Sequence, residues 1–199
     1  MSKQIYISAD YSEYDGDRDV INVLNNWSDH GSYKITFLDM AQVVSGSISA
    51  DPDCRPCDLK KEFNNQINSS SLIIFIIGDK IERRTAGSNC DRNNSDSCYC
   101  TPYKQNSKGT QLCKVTSTVP ATIDVGNINT YSYLKHEFEQ AKKRNKKIII
   151  IYNSSRKEEK WLPEYMKGYE EISIPFWKYN ENGEKVGDYD RIKKEFEIV

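Results

Sequence analysis

Two unbroken aliphatic runs constrain this chain more than anything else in it: Leu72–Ile77 (LIIFII) and Ile148–Ile151, the second followed by Tyr152. A strand with one face in water alternates apolar and polar residues; these do not. Such runs belong to strands covered on both faces, as in a parallel sheet. Their β-branched side chains favour extended backbone. The stretch before the second run reads as an amphipathic helix. Leu134, Phe138 and Ala141 recur at i, i+4 and i+7, and Tyr131 extends that stripe backwards. Asn145 stands where such a helix stops, with basic residues in its last turn to suit the helix dipole.

The rest of the chain repeats this rhythm. Gln4–Ser8 reads as a first strand, followed by a polar loop over 9–17. Val20, Ile21, Val23, Leu24 and Trp27 have the spacing of a first helix, and Lys34–Leu38 forms a second strand. Met40–Cys57 is a long connection. Asp58 is placed to open a second helix with Leu59, Phe63 and Ile67 on one face. Residues 79–130 break the pattern: they are rich in Asn, Ser, Gly, Thr and Cys, and poor in aliphatics. A structureless stretch of that length is not expected inside a compact α/β unit, so it reads as an irregular surface insertion. After Ile148–Tyr152 come a charged linker, a short helix opened by Pro163, a strand around Ile172–Trp177, a turn at Asn182–Gly183 and a last helix over 190–199 carrying Ile192, Phe196 and Val199. The order β-α-β-α-β-(insertion)-α-β-α-β-α predicts one α/β domain over 1–199, a mainly parallel five-stranded sheet with helices on both faces.

Composition narrows the function. A chain of 199 residues with a net charge of −1 lacks the concentrated positive field that nucleic acid or an anionic membrane requires. Neither aliphatic run is long enough to span a bilayer. The opening MSKQIYIS passes directly into a strand pattern, so no signal peptide is expected and the setting expected is the cytoplasm. The chain has no GxGxxG, GxxxxGK[ST] or GxSxG, and its only histidines are His30 and His136.

In an open α/β sheet, ligands sit beyond the carboxyl ends of the strands. Those ends include Ser8, Asp10, Tyr11 and Asp39, and the early turns of the third helix are expected beside them. At about 100° per residue, Glu137 falls beside the apolar stripe, with Tyr133 one turn before it on the same rim. A glutamate there stabilises positive charge developing on a ribose as a glycosidic bond breaks. Tyr133 offers a flat surface for a ring. Ser8, Asp10 and Tyr11 form a cradle for ribose hydroxyls or phosphate; the bland alternatives are turn chemistry for the loop and an exposed helix pair for Tyr133 and Glu137. The basic run Lys142–Lys147 reads as a solvated helix end.

Cys54 and Cys57 (CRPC) make a common zinc half-site, and Cys90, Cys98, Cys100 and Cys113 lie in the insertion. A structural zinc held by Cys54, Cys57, Cys90 and Cys98 would supply folding energy that the insertion lacks. Unligated thiols and an occasional disulfide fit the same pattern.

Several segments resemble a known family. IYISADYSEYD, FLDM at 37–40, LKKEFNNQINSSSLIIFIIGDKIERR at 59–84 and YSYLKHEFEQAKKRNKKIIIIY at 131–152 are similar to TIR-like domains of the bacterial antiphage, Thoeris-type branch. That branch carries a tryptophan-led motif with a glutamate on the third helix. Here the stretch reads Tyr133-Leu134-Lys135-His136-Glu137-Phe138, with tyrosine in the tryptophan's place. The resemblance implies a flavodoxin-like fold, NAD⁺ as substrate with no further cofactor, and Glu137 as the catalytic glutamate. It also implies a homo-oligomer and an ADP-ribose-derived signal acting on an effector protein. The competing expectations are a non-catalytic TIR-like assembly module and a nucleoside deoxyribosyltransferase-like enzyme with Glu137 as covalent nucleophile.

Overall fold

The computed structural model describes residues 3–10, 16–29, 35–39, 55–79, 81–83, 104–105, 111–112 and 132–197. In chain order these form β1 (Lys3–Ser8), α1 (Arg18–Asp29), β2 (Ile35–Asp39), α2 (Arg55–Ser69), β3 (Leu72–Ile77), β4 (Lys104–Gln105), β5 (Gln111–Leu112), α3 (Tyr133–Lys143), β6 (Lys147–Tyr152), β7 (Ile174–Pro175), β8 (Trp177–Tyr179), β9 (Lys185–Gly187) and α4 (Tyr189–Glu197). Chain contacts separate two compact units. The first holds Met1–Val43, Ser69–Arg83 and Ala141–Val199; the second holds Val44–Asn68 and Arg84–Gln140.

The first unit contains the main sheet, ordered β2-β1-β3-β6-β7. Its four longer strands pair in parallel, with Ile7 opposite Asp39, Ile7 opposite Ile74, and Ile74 opposite Ile149. From β1 the chain crosses to β2 on one side and then to β3 on the other. That reversal is a topological switch point. On one face Ile5, Ile7, Leu72, Ile74, Ile76, Ile149 and Ile151 pack with Val20, Ile21 and Leu24 of α1, Ile192 and Phe196 of α4, and Phe176 and Trp177. On the other face Tyr6, Ile73, Phe75, Ile77, Ile150 and Tyr152 are equally buried. Burial of both faces is the physical reason β3 shows no alternation.

Asn145 ends α3 with φ at 50°, in the left-handed region. Its N–H donates to Lys142 O, and the N–H of Lys146 donates to Ala141 O, the two bonds of a Schellman motif. The basic run after it closes other chain ends: Lys146 Nζ donates to Ser70 O at 2.6 Å, and Lys147 Nζ to Glu195 O at 2.7 Å. The latter places a cation on the last turn of α4, where the helix dipole favours it.

Three expectations change. Helix α2 opens at Arg55, before Asp58, because Pro56 is tolerated in a first turn where its missing N–H has no partner to lose. The helix expected at Pro163 is two 3₁₀ turns, Glu159–Trp161 and Glu164–Met166. Proline holds Leu162 at φ −69° and ψ 120°, which keeps the turns from joining. The strand around Ile172–Trp177 divides. Ile174–Pro175 lies at the sheet edge beside β6, and Trp177–Tyr179 turns away to pair antiparallel with β9. Pro175 has no N–H to extend a ladder, which suits an edge and ends it there. The Asn182–Gly183 turn closes that hairpin, with Gly183 at φ 76°. Asn180 Oδ1 accepts the N–H groups of Asn182 and Glu184.

In the second unit β4 and β5 pair antiparallel, Lys104 opposite Leu112. The remainder of 84–131 lies outside the described residues. Among the described residues, no helix is long and apolar enough to cross a membrane.

Candidate functional site

Helix α3 buries more than its apolar stripe. Leu134, Phe138 and Ala141 are buried, and so are His136, Gln140 and Glu137, the last 4% exposed. Tyr133, His136, Glu137 and Gln140 stand at i, i+3, i+4 and i+7, a second helical face alongside the first. Within the second unit, α2 meets this face at two points. Phe63 packs edge-on to Tyr133, ring centroids 5.0 Å apart. Asn64 Oδ1 lies 2.9 Å from His136 Nε2. An amide oxygen only accepts, so Nε2 carries the hydrogen and donates it. Asn64 itself is buried. Burial of a polar group costs less where it finds a partner, and the Asn64–His136 bond supplies one to each of these two side chains. His136, Gln140 and Asn64 were missed as site residues. The repeat at 133, 136, 137 and 140 was the signal that could have found the first two.

In the first unit, the carboxyl ends of β1, β3 and β6 converge on Asp17, which is 2% exposed. Asp17 precedes α1 and its carbonyl accepts the N–H of Ile21. Its side chain turns back to the sheet. Oδ2 accepts the N–H of Asp10 at 3.3 Å, and the Asp17 N–H donates to Asp10 O at 2.8 Å. Oδ1 accepts from Asn153 Nδ2 at 3.0 Å. Asn153 is fixed in turn: its N–H donates to Ile77 O, and its Oδ1 accepts from Trp177 Nε1 at 2.6 Å. Gly78 allows this approach, since a Cβ there would stand 2.5 Å from Asp17 Oδ1. No motif marked Asp17; it looked like one polar residue in a polar loop.

Burial pushes the Asp17 carboxyl up from 3.8 to about 7. The bonds from Asn153 and from the Asp10 backbone pull it down, and the carboxylates of Asp10 and Asp19 add to the rise. The folded state therefore holds this proton at pH values where the unfolded chain has lost it. The stability it contributes is complete below about pH 4 and is lost as pH rises to about 7, a change on the order of 4 kcal/mol. Thermal unfolding measured across that range should show the decline, and Asp17→Asn should flatten this part of it.

Ser8 is buried at the end of β1, with Asp10 half-buried two residues on. Asp39 ends β2, its backbone opposite Ile7, its side chain outside the described residues. Tyr11, Cys54, Cys90 and Cys98 lie outside the described residues, as does the side chain of Cys57 in α2. The structure thus groups Ser8, Asp10 and the Asp39 backbone along one sheet edge, and Tyr133 with Glu137 on one helix face. Among the described residues no group of three His, Cys, Asp or Glu could hold a metal ion. Comparison with protein-family models, curated proteins and solved structures finds no match.

Proposed function

We propose that this protein is an NAD⁺-processing, TIR-like enzyme that cleaves the nicotinamide–ribose bond. The observation that carries the reading is the burial of Glu137 on a polar face of α3, within the stretch that resembles the third-helix motif. A carboxylate withdrawn from bulk water acts more strongly on developing charge than a solvated one. As nicotinamide leaves, Glu137 holds the ribose hydroxyls and offsets the oxocarbenium-like charge at C1′. Tyr133 packs the departing ring, its own ring steadied by Phe63. Ser8, Asp10, Tyr11 and Asp39 seat the ribose and phosphates. The parallel sheet with its switch point supports a nucleotide beyond its own strand ends, where Ser8, Asp10 and the Asp39 backbone lie, because such sheets bind nucleotides there.

The finer parts of the reading follow from the resemblance: a flavodoxin-like arrangement with helices on both sheet faces, a cytoplasmic homo-oligomer, and an ADP-ribose-derived product acting on an effector protein in antiphage defence. Incubation of the purified protein with NAD⁺, followed by mass spectrometry, should show nicotinamide and an ADP-ribose-derived product. No NAD⁺ consumption at any protein concentration would leave a non-catalytic assembly module. A trapped deoxyribosyl–Glu137 adduct would mark a deoxyribosyltransferase instead.

Cys54, Cys57, Cys90 and Cys98 are assigned to a structural zinc, supported by the scarcity of aliphatic residues in 79–130. Elemental analysis should find close to one equivalent; less than about half an equivalent removes the assignment.

A further inference from the structure

Asn64 differs from the polar residues beside it in α2. Asn65 and Gln66 donate to Glu62 of their own helix, at 3.3 and 2.7 Å. Asn64 is buried and reaches another helix: its Oδ1 accepts from Nε2 of His136, itself fully buried, at 2.9 Å. Asparagine is a poor helix former and its burial carries a desolvation cost, so packing alone would favour an aliphatic residue there. One residue earlier, Phe63 meets Tyr133 edge-on, ring centroids 5.0 Å apart. Both contacts lie within the second unit.

We propose that Asn64 is a positioning residue for Glu137: its bond to His136, with the Phe63–Tyr133 contact beside it, sets the rotation of α3 and so the direction in which Glu137 points. This rests on the reading in which Glu137 and Tyr133 act on the nicotinamide–ribose bond.

The two contacts hold α3 on one side of Glu137. At about 100° per residue, His136 lies about 60° from Tyr133 around the helix, and Glu137 about 40° from Tyr133 in the opposite sense. The first turn carries the hold from one side chain to the next. Ser132 opens the helix: its Oγ accepts the N–H of Lys135 at 3.3 Å, and its carbonyl accepts the N–H of His136 at 3.0 Å. Apolar contacts tolerate sliding, whereas a hydrogen bond weakens steeply as its angle closes, so the Asn64–His136 bond is the part that resists rotation. A carboxyl about 5–6 Å from the helix axis moves about 2 Å when the helix turns by about 20°. Reacting groups need placement within about 0.5 Å, and a misplacement of about 1 Å costs on the order of a hundredfold in rate.

Part of the test needs no substrate, so its failure is separate from failure of the enzymatic reading. Nitrogen-15 NMR of the parent protein should find the hydrogen on Nε2 of His136, because an amide oxygen only accepts. A bare Nε2 with the hydrogen on Nδ1 overturns the proposal. With glutamate carbon-13 labelled at the carboxyl, the Glu137 signal is the one missing from Glu137→Gln. In Asn64→Leu that signal should leave its parent position; an unmoved signal overturns the proposal. Asn64→Leu strands a buried N–H and can cost the fold, so Asn64→Leu/His136→Phe is the second variant. Replacing both partners by apolar groups of similar shape should keep Tm near the parent's. With NAD⁺, each folded variant should lose about ten- to a hundredfold in kcat, with KM within about threefold of the parent's. A folded double variant with kcat within about threefold of the parent's overturns the proposal, since a pair that only holds the fold together would behave in that way. A parent protein that consumes no NAD⁺ removes the enzymatic reading, and the His136 and Glu137 signals then decide by themselves whether Asn64 orients Glu137.

Discussion

Replacing Glu137 by Gln is expected to abolish nicotinamide release while leaving the protein folded. The change keeps the side chain's size and removes its charge. Loss of one preorganised group aimed at developing charge costs about a hundred- to a thousandfold in kcat. Because Glu137 is 4% exposed, little water stands ready to replace what it offers the transition state. The isosteric amide should hold its place on α3, where Tyr133, His136 and Gln140 share its face. Circular dichroism and Tm should therefore match the parent while NAD⁺ turnover is lost. Turnover within about threefold of the parent, in a protein of unchanged Tm, would remove Glu137 from the chemistry.

Phe176→Ala should destabilise the protein by about 3–5 kcal/mol, a large part of the roughly 5–15 kcal/mol that holds a domain together. Phe176 is fully buried and sits between two indoles, 5.5 Å from the Trp27 centroid and 4.8 Å edge-on from Trp177. Truncation leaves a cavity where α1, β8 and the sheet meet. It also loosens Trp177, whose Nε1 holds Asn153 and, through it, Asp17. Denaturant unfolding should show the lowered midpoint. A loss below about 1 kcal/mol would mean that the cluster collapses to fill the space.

Much of the scaffold was legible because it depends on local patterns. The period of α1 and the unbroken apolar runs of β3 and β6 arise from how each segment meets the core. Asn145 was readable as a helix end because few residue types accept left-handed backbone. The division of 172–177 was less so. Pro175 was visible in the sequence, but its consequence depended on whether its missing N–H faced an edge, and that is a property of the sheet.

The polar sites depended on partners far away along the chain. Asp17 meets Asn153 across 136 residues, and His136 meets Asn64 across 72. Whether a polar side chain stays in water or is buried turns on whether folding brings it a donor or acceptor. Neighbours in sequence carry almost no information about that. Periodicity was therefore enough to recover the parallel strands and the helices between them. The buried carboxyl at the switch point and the polar layer on α3 were set by tertiary contacts, since desolvation and hydrogen bonding act between groups that only folding brings together.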